Sequence, residues 1–209
     1  MPPKRDEHLK QVETAVQAVR PLLANHQYQG ETRTVIVAGI IDQMIEHHEA
    51  ILILIRQEKS GSAFAMARLV VEGVYRGLWI NKGATEEQVK RFEKEDKIDL
   101  KMIDLAKAND QTYQLGKQKD FFEDFKNRSW DALNSYTHTG MMQLGRRYTG
   151  QQLQPAYRDE QVYEITTTLT TLVLVLVSYF FAVRGLKDDC DATDKLTHTY
   201  GPLAEKKQQ

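Results

Sequence analysis

The densest group of chemically capable side chains lies in one short tract: Arg128, then Ser135, Tyr136, Thr137, His138, Thr139 and Gly140, then Arg146 and Arg147. An imidazole can accept and release a proton near neutral pH, and a guanidinium can grip a phosphodiester oxygen and stabilise charge developing on it. On a helix that reaches residue 138, Ser135 and His138 share a face, and Arg128 lies nearly three turns back and points in a similar direction. His138, Arg128 and Ser135 are therefore the candidate catalytic residues, and metal-independent cleavage of RNA is the chemistry they suit. The plainer alternative is that Ser135 bonds to its own helix, His138 neighbours a turn and the arginines pair with surface carboxylates.

A second group, Arg68, Glu72 and Arg76, repeats every fourth residue of an otherwise apolar tract and so shares one helical face. Together with Arg146 and Arg147 these are the candidate ligand-binding residues. Glu72 between two arginines also suffices for a plain ion-pair network, unless one arginine is left to meet an anion beside His138.

Asp42, Glu46, His47, His48 and Glu49 invite a metal reading, but no histidine has a glutamate three residues before it, as di-metal carboxylate bundles require. His48 falls on an apolar stripe and suits a core position instead, so no metal site is assigned. The phosphate-loop, dinucleotide and serine-elbow patterns are absent, and a single cysteine, Cys190, rules out zinc-finger spacings and an internal disulfide. No cofactor is expected.

The elements that must position these groups read as helices. With 209 residues and 41% hydrophobic content, one core is the default, and the expectation is a single domain over residues 1–187 followed by a flexible tail, 188–209. Lys and Arg total 28 against 29 Asp and Glu, so no global field draws in a polyanion, and any such binding has to be local. The polar start of the chain lacks the apolar segment of a secretory signal, and a cytoplasmic setting is the simplest expectation. Ile165 to Val183 carries no charge and approaches a membrane span in length; its five threonines and acidic downstream flank favour a buried core helix over a membrane helix.

Proline is scarce, and the long tracts between prolines carry helical periodicity. A first helix runs from about Arg5 to His26 and should end early or kink at Pro21. A second follows Thr32, with Val37, Ile41, Met44, His48, Ile51 and Ile55 at alternating spacings of four and three. Gly61 marks a break before a third, Ser62 to Asn81. Thr85 and Gln88 form a capping box before a short charged helix, Ile98 to Ala108 is a weaker helix, and Asn109 to Lys119 is the central loop. Asp120 to Tyr136 is helical, a turn at Thr139 and Gly140 begins a shorter helix through Tyr148, and the last long helix runs from Asp159 to Gly185, which suits its left-handed end. No tract alternates over a strand's length. The fold class is all-α: a single helical bundle of about five to seven helices around a central apolar C-terminal helix.

The blocks SGSAFAMARLVVEGVYRGLWI (60–80) and LNSYTHTGMMQLGRR (133–147) resemble a family of all-helical bacterial proteins of unassigned activity. The matching positions are Arg68, Glu72, Arg76, Ser135, His138, Arg146 and Arg147, and the resemblance implies a helical fold over about residues 10–187. The layout is also similar to HEPN domains, which often act as ribonucleases or in toxin and phage-defence systems. Their Arg-then-His motif allows four to six intervening residues, whereas nine separate Arg128 from His138; Arg20 and His26 fit the spacing, but Pro21 and their early position argue for coincidence. The expectation is thus a HEPN-like protein that acts on or binds RNA or another phosphate-bearing ligand through His138 and neighbouring arginines. The alternative is a non-catalytic bundle that binds a small anion or a protein partner, a second copy in a homo-oligomer included, with membrane association third.

Overall fold

The computed structural model describes residues 4–28, 30–113, 115 and 119–200. In chain order the helices are α1 (Arg5–Gln17), α2 (Val19–Ala24), α3 (Thr32–Arg56), α4 (Ser60–Leu78), α5 (Glu86–Glu95), α6 (Met102–Thr112), α7 (Phe121–Thr137), α8 (Met141–Leu144), α9 (Asp159–Val183) and α10 (Lys187–Tyr200). The fold is an all-α bundle. The only strand pairing among the described residues is a two-residue ribbon, β1 (Tyr148–Thr149) with β2 (Gln152–Leu153), turned at Gly150 in the left-handed region.

Periodicity places the core. All six stripe residues of α3, Val37, Ile41, Met44, His48, Ile51 and Ile55, are buried. So are Ala67, Val70, Val71, Val74 and Leu78 of α4, which packs along α3. The first helix ends at Gln17, before Pro21, because proline has no N–H to give the carbonyl four residues back; Pro21 itself sits in the first turn of α2, where that loss is tolerated. The break between α3 and α4 is not at Gly61 but at residues 57–59, where Glu58 takes a φ of 57°. Gly61 instead lies in the first turn of α4, where a Cβ would stand 2.7 Å from Nη2 of Arg147. Thr85 and Gln88 form the capping box of α5. The expected central loop starts later than Asn109, because α6 continues to Thr112; residues 114 and 116–118 lie outside the described residues.

Helix α9 runs through the bundle, flanked by α1, α3, α4 and α10. It is long and apolar enough to cross a membrane, with a mean hydropathy of 1.9 over its most apolar window, and 61% of that window is buried inside the bundle. Its threonines have partners. Thr166 donates to Val162 O (2.7 Å) and Thr170 to Thr166 O (2.8 Å), so each hydroxyl oxygen is left to accept from a histidine: His8 Nε2 on Thr166 and His48 Nε2 on Thr170, both at 2.8 Å. The helix ends in a Schellman turn, with Leu186 N on Phe181 O (3.0 Å), Gly185 N on Ala182 O (3.1 Å) and Gly185 at a φ of 70°.

The chain beyond residue 187 departs from the expected tail. Residues 187–200 form α10, which packs on α9: Thr193 is fully buried, Ser178 Oγ donates to Asp194 Oδ1 (2.6 Å), and Asp189 meets His26 Nε2 at 2.7 Å. These contacts are polar and long-range, which is why apolar periodicity does not announce the helix. Residues 201–209 lie outside the described residues.

Candidate functional site

Helix α4 is the shared wall of the candidate site. Both α7 and α9 pack on it, and the side chains of α7 point to its two flanks. At about 100° per residue, Arg128 and Trp130 lie on nearly opposite sides of α7.

On the first flank, Arg68 is the centre. Its Nη1 donates to His138 Nε2 at 2.5 Å, its Cζ lies 4.9 Å from the Trp130 ring centroid, and its Nε lies 3.6 Å from Glu72 Oε2. Glu72 Oε1 also accepts from Arg76 Nη2 at 2.6 Å. A guanidinium has only donors, so Nε2 of His138 accepts and Nδ1 carries the ring proton. The chain reaches this contact because α7 ends at Thr137, whose hydroxyl donates to Leu133 O (2.9 Å) and to Ala65 O of α4 (3.1 Å). His138 follows as the C-cap, and Thr139 turns left-handed with a φ of 58°. Arg68 and Glu72 are half-buried, while Arg76 and His138 are exposed.

On the second flank, a cleft of about 320 Å³ opens between α7 and α9 over Phe64 and Val71 of α4. Arg128 and Arg146 line it; His138, Arg68, Glu72, Arg76 and Arg147 do not. The separation of Arg128 from His138 has a simple cause. Ten residues at about 100° each leave the two directions about 80° apart even on the α7 screw, and His138 also lies past the helix end, so the similar direction expected from the spacing is not realised. Arg146 is fixed by neutral partners, with Nε on Tyr136 OH and Nη1 on Gln161 Oε1, each at 2.6 Å.

Ser135 stands in a turn. Its hydroxyl accepts from Met142 N at 3.0 Å and its carbonyl from Gly140 N at 2.7 Å, which start α8 in the right direction. Gly140 is required there, because an added Cβ would meet Ser135 Oγ at 2.4 Å and Ser135 Cα at 2.8 Å. Arg147 lies against Gly61 at the start of α4, and Gln143 Nε2 donates to Gly61 O at 3.2 Å.

The two blocks singled out in sequence therefore fold against each other, through Arg68 with His138, Thr137 with Ala65, Gln143 with Gly61, and the Phe64 and Tyr136 rings at 5.2 Å. Trp130 and Gln143 were not among the expected site residues. Trp130 carries a core-like signal in sequence, and only the approach of α4 turns its face into a seat for Arg68.

Other polar groups are taken up in the scaffold. Arg20 forks onto Glu49 (2.9 and 3.2 Å) and reaches Asp42 (3.2 Å), and His26 pairs with Asp189, so the HEPN-like spacing of Arg20 and His26 does not bring them together as a pair. His48 is fully buried, and its Nδ1 has no hydrogen-bond partner among the described residues. Among the described residues no group of three or more His, Cys, Asp or Glu side chains could hold a metal ion.

No curated protein and no solved structure matches the chain. A family profile described as "Family of unknown function (DUF6988)" matches residues 41–202, a span that takes in α4, α7, the turn at His138 and all of α10. That match covers most of the chain and both polar flanks of α4, and the protein belongs to this family.

Proposed function

We propose that the protein binds single-stranded RNA, or a ligand with the same phosphate chemistry, along the α4 flank that carries Arg68, and that it binds rather than cleaves. The observation that supports this most is the Arg68 guanidinium, laid on the Trp130 ring and joined to His138 at the protein surface. Single-strand binders combine a row of cations that tracks the backbone with aromatic faces for the bases. From Arg147, beside Gly61, to Arg76 this flank extends roughly 22 Å at 1.5 Å per residue. Glu72 is one carboxylate between two arginines, which leaves the row positive. Residues 132–158 also contain no Asp or Glu, so the turn that supplies His138 and Arg147 adds no opposing charge.

Binding is favoured over catalysis because the lone pair a general base would use, on His138 Nε2, already accepts from Arg68, and the Ser135 hydroxyl accepts from Met142 N. The resemblance to HEPN domains supports RNA as the polymer. The test is fluorescence anisotropy of a labelled RNA oligonucleotide, with a gel for cleavage of the same RNA. The expected result is intact RNA and salt-sensitive binding, in which Arg76→Ala flattens the log–log salt slope by about 0.7 for one lost phosphate contact to a single strand. Equal affinity in the wild type and in an Arg68→Ala, Arg76→Ala double variant would sink the reading, and His138-dependent cleavage would replace it with catalysis.

A further inference from the structure

The cleft on the other flank of α4 holds a different arrangement of charge and surface. Its floor is Phe64, and its walls include Phe125 and Leu133 of α7 and Leu169 of α9. Arg146 stands at one end, half-buried and held by two neutral acceptors, Tyr136 OH and Gln161 Oε1. Those bonds use Nε and Nη1, so the Nη2 edge of the fork has no protein acceptor among the described residues. Neither Arg146 nor Arg128, the exposed arginine at the rim, has a carboxylate within 4.0 Å among the described residues, and the one bond of Arg128 is Nε to Asp124 O at 3.3 Å. Arg56 and Arg33 are matched to carboxylates, Glu13 and Glu86, whereas the half-buried Arg184 is met by Asn81 Oδ1, Thr34 Oγ1 and Phe180 O.

A fixed guanidinium with a free edge beside an apolar wall is complementary to a ligand with one anionic head and a greasy body. We infer that this cleft is a second binding site, for a small apolar monocarboxylate. The volume of about 320 Å³ holds on the order of ten non-hydrogen atoms, taking for each the about 30 Å³ of a liquid water molecule. That is the size of a medium-chain acid rather than a nucleotide. The charge argument points the same way, because Glu164 of α9 also lines the cleft and disfavours a ligand with a second negative charge. The carboxylate lies against Nη2 of Arg146 with Arg128 closing over it, and the chain runs across Phe64 toward Leu169.

This site is independent of the RNA-binding flank, and titration calorimetry separates the two. Octanoate is the probe, with octanol and octylammonium as neutral and cationic analogues of the same length. Octanoate is expected to bind, octanol at least about tenfold more weakly for loss of the charge-assisted hydrogen bonds, and octylammonium not at all. Ala132→Phe fills the cleft from the α7 side and abolishes octanoate binding, with circular dichroism confirming that the helices persist. Arg128→Gln alters an exposed side chain, keeps the fold and weakens octanoate severalfold. An Arg68→Ala variant, which removes the surface network, retains wild-type octanoate affinity. Equal affinity for octanoate and octanol, or unchanged octanoate affinity in folded Ala132→Phe or in Arg128→Gln, overturns the proposal whatever the RNA experiment shows.

Discussion

Arg68 and His138 lie 70 residues apart in the chain and 2.5 Å apart in the structure, a guanidinium donating to an imidazole nitrogen at the protein surface. The bond ties α4 to the turn that follows α7. Through Glu72 it extends to Arg76, and through Trp130 it acquires an aromatic floor.

That bond should register as thermodynamic coupling. Arg68→Ala and His138→Ala are expected to be non-additive in urea unfolding, with a coupling energy on the order of 1 kcal/mol, modest because His138 is exposed. Additive losses would mean that the two side chains do not interact in solution.

Glu72→Gln offers a test with the opposite sign. Losing the carboxylate leaves Arg68 and Arg76 without their counter-ion, so stability should fall by roughly 0.5 kcal/mol, as for exposed helix ion pairs. RNA affinity should rise and its salt dependence steepen. A variant that binds RNA more weakly would show that Glu72 serves the ligand directly.

The buried seam between α3 and α9 predicts the acid limit of stability. Burial pushes His48 down from 6.5 to about 4, with Glu13 opposing the shift. Between those values the unfolded chain binds a proton that the folded one refuses, so stability is fully present above pH 6.5 and declines as the pH falls toward 4. The loss from this group is on the order of 3 kcal/mol at about 1.4 kcal/mol per unit. Chemical denaturation across that range is the measurement, and a His48→Gln variant should show a shallower decline than wild type. Thr170→Val removes the acceptor of His48 Nε2 and should cost about 1–3 kcal/mol at neutral pH.

Gly140→Ala addresses the turn itself. With a Cβ at 2.4 Å from Ser135 Oγ and 2.8 Å from Ser135 Cα, backbone must move, and an overpacking cost of about 1–3 kcal/mol is expected. The same movement withdraws His138 from Arg68. A lowered melting temperature with weakened RNA binding is the predicted pair of readouts, and unchanged values for both would contradict the packing drawn here.

Helix content and the placement of the core were legible because a helix repeats every 3.6 residues whatever it packs against, so the α3 stripe from Val37 to Ile55 identifies its buried side without knowledge of its neighbours. Local signals at element ends were equally readable: the Thr85–Gln88 capping box and the left-handed Gly185 depend on only a few adjacent residues. Helix α10 was less so, since Ser178–Asp194, His26–Asp189 and the buried Thr193 join a few partly buried apolar residues in docking it, and a polar side chain carries no mark of a distant partner.

The chemistry divides in the same way. Residue types and spacing pick out Arg68, Glu72, Arg76, Ser135, His138 and the neighbouring arginines as a set, because charged and titratable groups crowd there beyond what a solvated helix face needs. They cannot sort that set into two flanks. The sorting depends on where α7 stops and how it crosses α4: one residue past the helix end sends His138 to Arg68, while Arg128, still on the screw, faces the cleft with Arg146. Contacts between residues far apart in the chain arise from packing that no local periodicity encodes.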